Sequence, residues 1–158
     1  MKNAKEQLQA LLDREAVRDL PLRYCDYVWR NDVTGLVKLF SKDGEFVIVA
    51  NDKETSAKGH PALLKLYREG LEIGPRPFIH NHVVELLDAK RATGRCYLAL
   101  HSAKRNMDFI GAGYYLDSYV KVKGEWRFAR RHFTAVRLDE APAARTTKRA
   151  PPRRARTR

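Results

Sequence analysis

A chain of 158 residues is long enough for one domain with a real core and too short for two ordinary ones, so a single site is expected. No run approaches the roughly 18 to 20 apolar residues of a membrane helix, and Met1 leads into Lys2, Asn3 and charged sequence without the apolar segment of a secretory signal, which argues against a spanning helix and for a cytoplasmic protein. The formal charge of +12 is concentrated at the end, where "APAARTTKRAPPRRARTR" (141–158) holds seven Lys/Arg and no acid; the expectation is a domain over 1–140 and a basic, Pro/Arg-rich disordered tail that attracts polyanions weakly and in a salt-dependent way.

From Ala4 to Trp29 the apolar positions Leu8, Leu11, Leu12, Val17, Leu20, Tyr24 and Val28 recur at spacings of three to five, the pattern of an amphipathic helix that Pro21 should kink or divide. Asp32 stands as N-cap of a short helix through Val33, Leu36, Val37, Leu39 and Phe40. "SKDGEF" breaks it and launches the strand "EFVIVA", followed by a polar turn, "NDKET". Gly59 and Pro61 open another helix carrying Leu63, Leu64, Leu66 and Tyr67, which "EGLEIGPRP" ends. Four β-rich runs follow, at about 77–87, 93–103, 107–122 and 125–137, joined by connections short enough for antiparallel hairpins. Helices first and a strand meander afterwards mean α+β, with helices on one face of a curved antiparallel sheet. No Gly-rich phosphate loop, Cys/His metal pattern, nucleophile elbow or nucleic-acid module appears. Cys25 and Cys96 match no metal or redox spacing and read as reduced, buried thiols.

The order of elements, together with "REAVRDLPLRYCDYVWRNDVTGLVKLFSKDGEF", "KGHPALLKLY", "HNHVVEL", "ATGRCYL" and "GAGYYLDSYVKVKGEWRFARR", resembles the SnoaL-like division of the NTF2-like superfamily over about residues 10–138. The resemblance implies an NTF2-like cone: a strongly bent sheet closed by N-terminal helices around a largely apolar pocket, commonly paired into a homodimer through the sheet's outer face. Its relatives include polyketide cyclases, scytalone dehydratase, bile-acid dehydratase, a dehydrochlorinase, ketosteroid isomerase relatives and the non-catalytic small subunits of ring-hydroxylating dioxygenases, so function must be argued from the site. In the dehydratase-like members a strand histidine removes a proton and an aspartate late in the first helix orients it. Here those two positions fall at Pro77 and Trp29, and Leu100 stands where an acidic residue assists in the bile-acid enzyme. Tyr24, His80 and, within a one- or two-residue slip, Arg137 coincide with other pocket residues of the dehydratases.

Strand alternation sets Pro77, Ile79, Asn81, Val83 and Glu85 on one face and Phe78, His80, His82 and Val84 on the other. Analogy with the missing histidine turns the Asn81 face inward and leaves His80 and His82 for a dimer interface; a bulge near Pro77 would instead bring His80 into the pocket. His101 and His132 read as satisfied sheet histidines and His60 as a helix-start residue. The expected catalytic set is His80 as base, Tyr24 as hydrogen-bond donor, Arg137 against developing negative charge, and Asp26 in place of the lost carboxylate. Trp29, Tyr27, Asn81, Leu100, Tyr115 and Asp117 are the expected ligand contacts, with Asp117 either a structural acceptor or a pocket acid. The expected guest is a small hydrophobic cyclic molecule, polyketide-, steroid- or aromatic-like, bound without metal or organic cofactor. Either dehydration, isomerisation or cyclisation is then catalysed, or the chain is a non-catalytic binding or assembly subunit.

Overall fold

The computed structural model describes residues 3–72 and 74–139; the tail expected at 141–158 lies outside them. Helix α1 spans Ala4–Arg30 and begins with a capping box, in which the Asn3 side chain accepts from the Glu6 N–H at 2.9 Å and the Glu6 carboxylate accepts from the Asn3 N–H at 3.0 Å. It ends where Asn31 turns left-handed. Pro21 does not divide it. The ring deprives Val17 of its helical donor, but it is fully buried, and packing holds the helix continuous through it. The buried face runs Asp13, Val17, Leu20, Pro21, Tyr24, Val28, whereas Leu8, Leu11 and Leu12 are exposed, contrary to the amphipathic expectation for the first turns. Asp32 caps α2 (Val33–Lys38) by accepting from the Gly35 N–H at 2.8 Å.

Strand β1 runs from Phe40, earlier than "SKDGEF" suggests, to Ala50, and β2 occupies Lys53–Lys58, where the polar composition reads as a turn. Helix α3 (His60–Glu72) buries Leu63 and Tyr67 and starts after Gly59, whose φ of +80° suits glycine. Then come β3 (Pro75–Leu86), β4 (Arg91–Ser102), a single 3₁₀ turn (Ala103–Arg105), β5 (Asp108–Val122) and β6 (Glu125–Leu138). Lys123 and Gly124, both at positive φ, make the two-residue turn that joins the last two strands.

The sheet order is β2-β1-β6-β5-β4-β3. Every pairing is antiparallel except β1 with β6, so the sheet is mixed rather than wholly antiparallel. It is curved and unclosed, and bulges break the register in four of its five ladders, where extra residues bend the strands. The helices cover one face, and the core lies between them and the sheet, with Val17, Tyr24, Leu36, Phe40, Leu63 and Phe128 among its buried members. Among the described residues no helix is long and apolar enough to cross a membrane.

Candidate functional site

Between the curved sheet and the helices the core leaves part of the space unfilled. A cavity of about 830 Å³ remains, within the range of small-molecule sites. Its wall is largely apolar, built from Val28, Phe46, Leu66, Pro77, Leu100 and Phe133. Tyr24 from α1, Tyr67 from α3 and Tyr115 from β5 converge deep in it, with ring centroids 6.0 Å and 5.9 Å from Tyr24. Exposed Asn51 and Lys104, with Arg105 and Asp139, mark its mouth.

Burial raises the Tyr24 hydroxyl above its ordinary pKa and places those of Tyr67 and Tyr115 well above it. All three phenols are therefore protonated at neutral pH and act as hydrogen-bond donors. The Tyr67 hydroxyl faces that of Tyr24 but is buried without a well-formed hydrogen bond among the described residues. An acceptor oxygen on a bound molecule would relieve it.

Behind the tyrosines lies a charge that the chain buries completely. Arg131, 0% exposed, holds its guanidinium carbon 3.6 Å from the Tyr115 ring centre and 4.2 Å from that of Tyr24. Its Nε and Nη2 donate to the two Asp117 oxygens, each at 3.1 Å, a bidentate pair across β5 and β6. Burial alone would lower the Arg131 pKa, but the Asp117 carboxylate reverses this and raises it. Burial pushes the Asp117 carboxyl up, against the opposing pull of Arg131 and Tyr119. The Tyr119 hydroxyl donates to Asp117 at 3.0 Å, and its oxygen lies 3.1 Å from His82 Nε2, so the hydrogen-bonded chain runs from Arg131 through Asp117 and Tyr119 to the imidazole. Desolvation, then the Arg131 cation, lowers the His82 pKa to about 4, so the imidazole is neutral. Gly94 makes room for this chain: a Cβ there would stand 2.7 Å from His82 Nε2 and 3.0 Å from the Tyr119 oxygen.

The residues expected from the sequence separate into two groups. Tyr24, Leu100 and Tyr115 line the cavity, and Asp117 lies buried behind it as a structural acceptor. His80 and Asn81 do not reach the cavity. The β3 bulge falls on them, between the pairs Ile79↔Leu98 and His82↔Cys96, so both are exposed and alternation resumes with His82 facing the helices. A bulge does shift the register as one expectation had it, but it turns His82 inward rather than His80. Asp26 is exposed and paired with Arg30 at 2.9 Å. Arg137 is exposed, donates to Asp139 at 3.0 Å and covers the Phe109 ring. Tyr27 lies under Arg30, outside the lining. Trp29 is outside it too, and its indole N–H donates to the Pro77 carbonyl at 2.9 Å, clasping α1 to β3. Arg131, His82 and Tyr67 were not anticipated in these roles. The signal for Arg131 was its position across the final hairpin from the Tyr-x-Asp pair, displaced by one bulge between Ser118 and Tyr119.

His60 contacts the Phe40 carbonyl at 3.1 Å and His101 the Met107 carbonyl at 2.8 Å, so both are structural. Cys25 donates to the Pro77 carbonyl, and burial raises the pKa of both thiols, that of Cys96 to about 11. Among the described residues no three His, Cys, Asp or Glu side chains are grouped to hold a metal ion.

Solved structures share this architecture. A protein of unknown function from Mycobacterium tuberculosis is 27% identical, with a TM-score of 0.72 over 87% of this chain and 78% of that one. LinA superposes with a TM-score of 0.74 at 22% identity over 92% and 99% of the two chains. A candidate scytalone dehydratase from Novosphingobium aromaticivorans gives 0.71 at 22% identity over 87% and 99%. No curated protein matches in sequence at a significant level. The family model of the SnoaL-like domain matches residues 9–132, most of the chain, and with the six-stranded curved sheet and its helical cover this shows that the chain belongs to the SnoaL-like family.

Proposed function

We propose that this chain binds a small, mostly apolar cyclic molecule bearing a carbonyl or phenolic oxygen, which enters the cavity oxygen-first and accepts hydrogen bonds from the buried tyrosines. The observation that carries the reading is the convergence of Tyr24, Tyr67 and Tyr115, all protonated, deep in an apolar cavity of about 830 Å³. An apolar wall selects the ring by exclusion from water, and protonated phenols select an acceptor oxygen. The test is calorimetric titration with polycyclic ketones and phenols beside their parent hydrocarbons. Tyr24→Phe is expected to weaken the oxygenated ring by about 3- to 12-fold, one neutral hydrogen bond's worth, with little change for the hydrocarbon. Leu100→Trp, which fills the cavity, should abolish both; undiminished binding in that variant sinks the proposal.

Proton-transfer chemistry of the dehydration or isomerisation kind has one observation in its favour. The Arg131 cation behind Tyr24 and Tyr115 would strengthen their hydrogen bonds to an oxygen gaining negative charge. The base is what this site supplies poorly: Asp139, at the mouth and bonded to Arg137, is the one carboxylate or imidazole among the described lining residues. The binding reading is therefore preferred, in line with a non-catalytic subunit. Proton exchange from a bound ketone into deuterated water, lost in Tyr24→Phe, would decide for the enzyme. We further propose that a second copy of the chain packs against the outer sheet face, where Val83, Tyr97 and Leu116 are exposed; sedimentation at micromolar concentration should then give the mass of two chains.

A further inference from the structure

We infer that the guest is an amphipathic acid: a ring body in the cavity with a carboxylate, sulfonate or phosphate at its outer end, held at the mouth by Lys104 and Arg105. This rests on the reading of the cavity as a ligand site and names the class of molecule it takes.

The cavity is electrically asymmetric along its length. At its inner end the phenols are neutral, and the only nearby cation, Arg131, is neutralised by Asp117 among the described residues. The wall is apolar. Net charge enters only at the mouth, where the 3₁₀ turn Ala103–Arg105 brings two cations side by side. The turn has a fixed shape: Asn106 and Met107 both adopt positive φ, of 50° and 64°, and the Met107 N–H donates to the Ser102 carbonyl at 2.9 Å. Its start is tied to the segment before β3, since the Ala103 N–H donates to the Gly74 carbonyl at 2.9 Å. Gly74 is buried at φ +80°, and a Cβ there would lie 3.2 Å from Lys104 Cγ. Glycine thus lets the lysine stem lie against the backbone beside the opening.

Neither cation is quenched by its neighbours. Lys104 forms no ion pair among the described residues, and the Arg105–Asp108 contact is long, at 3.6 Å, and solvated. Asp139, the acid at the mouth, is engaged by Arg137 through two hydrogen bonds of 3.0 and 3.4 Å. Beyond it the sequence adds seven Lys/Arg against one acid, Glu140. An apolar channel with donors inside and cations outside matches a molecule with an oxygenated ring at one end and an anion at the other.

The test uses two fluorescent ligands with the same ring system, 1-anilinonaphthalene-8-sulfonate and its uncharged counterpart N-phenyl-1-naphthylamine, titrated into the full-length chain. The sulfonate is expected to bind more tightly, and the ratio of the two affinities should fall about 5- to 10-fold in the double variant Lys104→Ala, Arg105→Ala, with a similar fall in 0.5 M salt. In a full-length chain with the seven Lys/Arg of 145–158 replaced by Gln, the ratio should fall less than that. A ratio near one in the wild type, or one that the double variant leaves intact, overturns the assignment while the cavity reading stands. So does a preference that vanishes with the neutralised tail and survives in the double variant. Failure of both ligands to bind, or binding that persists in Leu100→Trp, overturns the cavity reading instead.

Discussion

The side chain with the most consequence is Arg131, because a charge removed wholly from water stands only while its partner does. Arg131→Met alone leaves the Asp117 carboxylate buried and unpaired, and equilibrium urea unfolding should show a loss of about 3–5 kcal/mol. Arg131→Met combined with Asp117→Leu should recover much of it. His82 gives the same network a pH dependence. Its folded pKa, about 4, lies below the ordinary 6.5, so between these values only the unfolded chain takes up the proton. Its contribution to stability is complete above pH 6.5 and is lost as the pH falls towards 4. Because the imidazole is only partly buried, the loss should be no more than about 1–2 kcal/mol after allowance for solvent screening. Unfolding midpoints at a series of pH values should show this slope and His82→Gln should remove it. Which of the paired histidines would turn inward could not be read from "RPFIHNHVVEL", because alternation fixes a face only until a bulge intervenes. Tyr24 and Leu100 were legible through the family resemblance rather than from local chemistry, and Tyr115 only as one of several aromatics in the strands.

At the level of elements, one carboxylate gathers the hydrogen bonds that tie the first half of α1 to the last hairpin. Asp13 accepts from Lys121 at 2.6 Å, from the Trp126 indole at 3.0 Å and from Gln9 at 3.2 Å. Burial pushes its pKa up, but these donors and the Lys121 charge outweigh that and bring it below the ordinary value. Asp13→Ala leaves the buried indole N–H without its acceptor, and thermal or urea unfolding should register about 1–3 kcal/mol of destabilisation. Helices and long strands were readable from apolar spacing, and the Asp32 cap from its residue type. β2 was not, since an edge strand exposed at every position but Ala57 carries no alternation to read. The continuity of α1 through Pro21 was hidden for the opposite reason: local chemistry predicts a break, and burial of the ring overrides it.

For the whole molecule, the sheet order puts β6, the last strand in the sequence, at its centre. The meander of β3 to β6 was legible from hairpin lengths, but the parallel docking of β1 on β6 was not, because strands so far apart in sequence leave no local trace of their pairing. Until β6 docks, β1 and β2 have no connection through the sheet to β3, β4 and β5, Phe133 is missing from the cavity wall, and Arg131 is missing from behind the tyrosines. Besides the β2 and β3 edges of the finished sheet, a chain emerging from the ribosome therefore carries two further open edges, those of β1 and β5, until residue 134 or so is free to pair. Loop closure over this distance is entropically costly, so refolding should be slow, in the millisecond-to-second range, when Trp126 fluorescence is followed after dilution from urea. During that interval the half-built sheet is the form most open to aggregation and to capture by chaperones.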